Sequence, residues 1–150
     1  MKPRPSRSGG RALDAASSPR NPVERYRSGG PWEESFGYSR AVSAGPLVFV
    51  AGCTSVVDGS ITHEGDPYHQ ALTAMQTAER ALAEAGATLA DVVQTRMYIV
   101  HNHDADDVGR AHAEIFGAAP PAATMVVVDG LLDVRMLVEV EVVAYRRMIT

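Results

Sequence analysis

A chain of 150 residues, 45% of them hydrophobic and 21% charged, has room for one domain with a real core and not for two of ordinary size. No apolar run approaches the ~20 residues of a membrane span, and a single cysteine, Cys53, excludes an intrachain disulfide framework and points to a reducing, cytoplasmic setting. Residues 1–30 carry seven basic side chains against two acids, net +5, and residues 31–150 carry seven against sixteen, net −9, so nucleic acid is not the partner the folded part suggests.

Residues 1–22, rich in Ser, Gly, Pro and Arg and without the apolar stretch of a secretory signal, read as a disordered basic tail ahead of a domain over 23–150. Trp32, the one tryptophan, follows a glycine–proline turn and is placed to anchor what comes next. Residues 38–42 and 47–51 flank the turn Ala44-Gly-Pro46 and form an antiparallel hairpin, its second strand apolar enough to lie buried on both faces or against helices. Small residues, Gly52 to Ser55, end that strand, and a polar loop leads to a helix with Asp66 and Pro67 at its start. Leu72, Met75, Ala78, Leu82 and Ala85 form its apolar stripe, and Gly86 stops it.

A strand over residues 92–100 puts Val93, Thr95, Met97 and Ile99 on one face and Gln94, Arg96 and Tyr98 on the other. A second helix follows Asp104, with Ala105, Val108, His112 and Ile115 inward, and ends near Phe116 and Gly117. Pro120 and Pro121 force extended chain, and residues 120–145 read as two further strands joined by a loop around Gly130. This order gives an α+β layer, one antiparallel or mixed sheet with both helices on one face. The other face mixes aromatic, apolar and charged groups and is expected to be covered by oligomerisation.

Within the last strand, Glu139 and Glu141 share a face with Leu137 and Val143. Burying a carboxylate without a partner is costly, so Glu139 points either to a proton- or water-handling role or to a pair with Arg96, Arg110 or Arg135. Cys53 reads as a structural thiol or a group lining a pocket. His101, His103 and Asp104, like His63 and His69, lack the third and fourth ligands of a metal centre, and no glycine fingerprint for a phosphate or dinucleotide is present. No metal and no cofactor is expected.

Gly37-Tyr-Ser-Arg-Ala-Val42, Leu47-Val-Phe-Val-Ala-Gly52, Gln70 with the helix to Ala85-Gly-Ala87, Asp91-Val-Val-Gln-Thr-Arg-Met-Tyr-Ile99, Ala113-Glu-Ile-Phe116, Pro121-Ala122 and Val138-Glu-Val-Glu141 resemble, in order and spacing, the RidA/YjgF/UK114 family of reactive-intermediate (enamine and imine) deaminases. The resemblance implies a chorismate-mutase-like fold, a homotrimer whose sheets pack into a central barrel, and small-molecule pockets in the clefts between subunits. Family members hydrolyse 2-imino or 2-enamino acids to keto acids and ammonia. An arginine grips the substrate carboxylate and a glutamate manages water. That glutamate falls on Glu139 and the tyrosine of the first strand on Tyr38. The serine falls on Ala51, the asparagine of the second helix on Gly109, and the arginine on Ala123. Arg96, Arg110 and Arg135 are the candidate substitutes, and the ligand-binding set expected is Tyr38, Gly52, Cys53, Thr124 and Arg96. The function implied is hydrolysis of a non-classical C=N substrate, or, as the alternative, binding of a metabolite without catalysis.

Overall fold

The computed structural model describes residues 22–148; the tail expected over residues 1–22 lies, but for Pro22, outside the described residues. Strands β1 (Val23–Tyr26), β2 (Ala41–Ala44) and β3 (Leu47–Cys53) open the fold, with a single helical turn, α1 (Glu33–Phe36), between the first two. A small two-stranded ribbon, β4 (Val56–Val57) and β5 (Ser60–Ile61), precedes helix α2 (Pro67–Glu84). Strand β6 (Val92–Ile99), helix α3 (Ala105–Phe116), β7 (Ala122–Val127) and β8 (Val138–Tyr145) complete it. Among the described residues no helix is long and apolar enough to cross a membrane.

The main sheet has six strands in the order β1-β2-β3-β8-β6-β7, antiparallel throughout except for the parallel pair β6 and β7. The α+β mixed sheet is therefore as expected, but the central barrel expected of the sheets is not: no sheet among the described residues is closed. Closure needs the two terminal strands to pair, and β1 and β7 stand at opposite edges of an open sheet. Residues 120–145 form two strands joined by a loop, and the two are not neighbours: β8 inserts between β3 and β6, while β7 lies beyond β6. The loop between them crosses the end of β6 instead of making a hairpin.

The core lies between the sheet and the two long helices. Val138, Val140, Val142 and Ala144 of β8 fill it from the centre of the sheet, alternating with half-buried residues as a pleated strand requires. Residues Ala71, Ala74, Met75, Ala78, Ala81 and Leu82 of α2 pack onto them. The Asp66 carboxylate accepts the His69 N–H at 3.0 Å, Pro67 occupies the first turn, and Gly86 leaves the helix at φ 75°, so both ends of α2 form as the sequence indicates. Helix α3 lies beside α2, and its His112 Nε2 meets Thr95 Oγ1 of β6 at 2.8 Å. One detail of β6 differs from strict alternation. An irregularity between Val92 and Gln94 turns Val92 into the core and leaves Val93 exposed.

The face of the sheet away from the helices carries Leu47, Phe49 and Tyr145, which are 36%, 44% and 59% exposed. Strand β3 is thus buried against helices on one side only in the single chain.

Candidate functional site

The site begins with the irregular end of β3. Its pairing with β8 runs regularly from Leu47 to Val50, then shifts before Cys53 meets Val140. The extra residue releases the carbonyls of Ala51 and Gly52 from regular pairing, and the Arg40 guanidinium receives them. Arg40 Nη1 donates to Gly52 O at 2.7 Å and Ala51 O at 3.2 Å, and lies 3.4 Å from Cys53 Sγ. Arg40 Nη2 reaches Tyr38 Oη at 3.4 Å, while the buried Nε has no partner.

Glu139 projects from β8 onto this bulge. A Cβ added to Gly52 would collide with Glu139 Oε1 and lie 2.8 Å from its Cδ, so the carboxylate rests where any larger residue would stand. Among the described residues Glu139 makes no hydrogen bond and no ion pair. Burial raises its pKa above the ordinary 4.5; Arg40 pulls the other way and Glu141 adds to the rise. Burial also raises the Cys53 thiol, against the nearby Arg40 charge, which leaves it a poor nucleophile.

These groups line a cavity of about 120 Å³. Its outer wall is a strap, residues 28–32, held by the buried Glu33. That carboxylate accepts Ser28 N–H at 2.9 Å, Ser28 Oγ–H at 2.8 Å, Arg40 N–H at 3.2 Å and the Gly30 N–H. Burial alone would raise the pKa of Glu33, but these donors outweigh it and hold the group below the ordinary range. Trp32 also lines the cavity, its ring stacked on Phe36 with centroids 6.5 Å apart. Leu132 and Met136 cover the cavity from the loop before β8. Gln70 fixes that loop: it donates to Arg135 O at 2.9 Å and accepts the Leu137 N–H at 2.9 Å.

Tyr38, Gly52, Cys53 and Glu139 thus come together as the sequence suggests. Thr124 and Arg96 do not line this cavity. They are adjacent residues of the parallel pair β7 and β6, both exposed, and Arg96 lies 3.5 Å from Glu141 instead. Of the other proposed substitutes for an arginine at Ala123, Arg110 stacks 3.9 Å above the Tyr68 ring, and Arg135 forks onto its own neighbour Asp133 at 2.9 and 3.0 Å. The arginine that does enter is Arg40. It sits two residues after Tyr38 within a quoted motif, and that proximity is the available signal; nothing in the sequence marks the bulge that draws its guanidinium in.

A family model described as Endoribonuclease L-PSP matches residues 33–146. An uncharacterized protein of Streptomyces coelicolor is 50% identical over 124 residues, 83% of this chain and 92% of that one. A RutC family protein of Pyrococcus abyssi is 33% identical over 73% of this chain and 86% of its own length. Among solved structures, a Mycobacterium tuberculosis member of the YjgF/YER057c/UK114 family is 43% identical and superposes with a TM-score of 0.75 over 83% of this chain and 99% of the other. Yeast Mmf1, 22% identical, matches the fold with a TM-score of 0.72 over 84% of this chain and 98% of its own.

Proposed function

This chain belongs to the RidA/YjgF/UK114 (endoribonuclease L-PSP) family, and on that footing we propose that it hydrolyses a small C=N compound, an imine or the imine tautomer of an enamine, at the Glu139 cavity. The observation that carries this reading is the Glu139 carboxylate, without an ion partner among the described residues and set against the Cβ-less Gly52 in a cavity that also holds Arg40. A carboxylate whose pKa is raised by burial is a stronger base than an exposed one and is better suited to take a proton from water and give it back.

In the first step a water oxygen bonds to the C=N carbon while its proton passes to Glu139. The π pair moves to nitrogen, which takes that proton from Glu139, giving a neutral carbinolamine. In the second step Glu139 takes the carbinolamine hydroxyl proton, C=O forms, and the C–N bond breaks as Glu139 passes that proton to the departing NH2 group, which leaves as ammonia. The balance is one imine and one water to one carbonyl compound and one ammonia. Tyr38 and the Arg40 guanidinium supply fixed donors to the substrate's oxygen atoms, which need no reorganisation as charge develops.

The chain acts as a homotrimer in this reading. Leu47, Phe49 and Tyr145 on the uncovered sheet face give an apolar area that a partner subunit would bury. Light scattering tests it: a monomer at micromolar concentration refutes the trimer.

The activity test couples an amino-acid oxidase to capture of the imine it releases. Added protein should accelerate keto-acid release, and Glu139→Gln should remove at least ~100-fold of that acceleration, the scale of general acid–base catalysis. No acceleration across several amino acids refutes the hydrolysis.

A further inference from the structure

Beside the Glu139 cavity lies a second and larger space, a groove of about 1020 Å³ between α2 and the strap. The two are continuous: Ser28, Gly30, Pro31, Arg40, Val56 and Thr77 line both. The floor of the groove is a flank of α2 that faces neither the sheet nor α3. Thr73, Gln76, Thr77, Arg80 and Glu84 recur there at helical spacing, whereas the buried face uses Ala74, Met75, Ala78 and Leu82, and Ala81 lies where the two meet. Above the floor runs the strap with Arg27, pinned through Glu33.

The charge of this groove is unusual for the molecule. Its three arginines, Arg27, Arg40 and Arg80, face two acids, Asp58 and Glu84, in a domain that is otherwise acidic. Among the described residues none of the three arginines is paired with a carboxylate, whereas Arg96, Arg110 and Arg135 all are. Among the described residues Arg80 is held by a 3.1 Å bond to Thr77 Oγ1, which aims it toward the wall the two spaces share. Its charge reaches the cavity, where it acts on Cys53 in the same direction as Arg40.

We propose that the ligand is bipartite: a small head in the Glu139 cavity and a tail in this groove ending in an anionic group, carboxylate or phosphate, received by Arg80 and Arg27. A space of this size is that of a drug-sized ligand, far beyond what a three-carbon imine fills. Arginine suits the end of such a tail because its planar fork takes two oxygens at once. Polar side chains on α2, the hydroxyls of Thr73 and Thr77 and the amide of Gln76, line the path between. The inference rests on the reading of the Glu139 cavity as the place of the head.

Its test is binding, not turnover, on the full chain by calorimetry. The probes are 2-oxohexanoate, 2-oxoadipate and 2-oxo-5-phosphonopentanoate, which share a head and a chain length and differ at the tail. The dianions with distal carboxylate or phosphonate should bind at least about ten times more tightly than 2-oxohexanoate at low salt, with the advantage shrinking as ionic strength rises. Which of the two binds better identifies the natural terminal group. In the double variant Arg27→Gln, Arg80→Gln the ratio should fall to near one, with thermal unfolding confirming a folded protein. Equal binding of all three, failure of all to bind, or an unchanged ratio in the double variant overturns the proposal. Should the tail preference stand while the coupled assay shows no hydrolysis, only the reaction is refuted; hydrolysis without the preference refutes only the tail site.

Discussion

Glu139 and Glu141 stand two residues apart on one strand, on the same side of it, and the fold treats them in opposite ways. Glu141 is satisfied: Tyr98 Oη donates to it at 2.5 Å and Arg96 Nη1 lies at 3.5 Å. The hydrogen bond to Glu141 raises the Tyr98 pKa, the mark of a phenol held as a donor. Glu139 faces β6 at the neighbouring register, opposite Tyr98, yet receives neither of those groups. What its carboxylate rests against is the backbone of Gly52. Two carboxylates of equal intrinsic acidity therefore differ because one was given partners and the other was given space. A group left unpaired at a cost, in a cavity, is a functional candidate on physical grounds; a paired group on a sheet surface is an ordinary structural one.

The strongest way to break this contrast is Gly52→Ala. Its methyl would occupy the place of the Glu139 carboxylate, so turnover in the coupled assay should fall at least ~100-fold, and denaturant unfolding should show a loss of about 1–3 kcal/mol, the usual cost of overpacking. A similar loss of stability without damage to the carboxylate should come from Gln70→Leu. It strands the Leu137 N–H and the Arg135 carbonyl that hold the cover of the cavity, at about 1–3 kcal/mol by chemical denaturation.

Smaller in size, and sharper in sign, is the effect of Glu139→Gln on stability. With its folded pKa raised, Glu139 favours the native state fully below the ordinary value of 4.5, and that contribution disappears as pH rises through the folded value. The glutamine variant should accordingly unfold at a higher temperature than the natural chain at neutral pH, and the gap should close on acidification below the ordinary glutamate range. A gap of opposite sign at neutral pH would mean that Glu139 has a partner after all. The smallest change is expected of Glu141→Gln: about 1 kcal/mol or less, as for other exposed ion pairs, with the Tyr98 absorbance titration moving down toward that of a free phenol.

Much of this is legible in the sequence. The α2 stripe, with Asp66 and Pro67 at one end and Gly86 at the other, follows from local chemistry, and local chemistry is what a sequence displays. Glu139 is legible for the same reason, as an acid on a strand of valines. Strand pairing is another matter. The alternation in β7 and β8 specifies which face each residue takes, but not which strand lies alongside, and nothing in it places β8 between β3 and β6. The barrel fails on the same ground, since edge pairing is a property of distant segments. Arg40 stays hidden because its role depends on a bulge eleven to thirteen residues away, where carbonyls freed from the ladder need a donor. Thr124 enters the expected set through its place beside Ala123, where the missing arginine would stand, and Arg96 enters it as a candidate substitute; within the single chain the two lie side by side on β7 and β6, outside the Glu139 cavity.

The position of β8 also bears on how the domain is made. The strand at the centre of the sheet is the last of them to leave the ribosome, and its partners β3 and β6 are already waiting. Until it arrives, the halves β1-β2-β3 and β6-β7 have no shared ladder and the apolar face of α2 lacks the centre of its floor. Folding must then depend on contacts between segments nearly a hundred residues apart, such as Leu47 with Tyr145, a long-range closure that slows folding and leaves strand edges bare in nascent chains. Truncation within residues 138–145 should therefore leave an aggregation-prone chain instead of a smaller folded one.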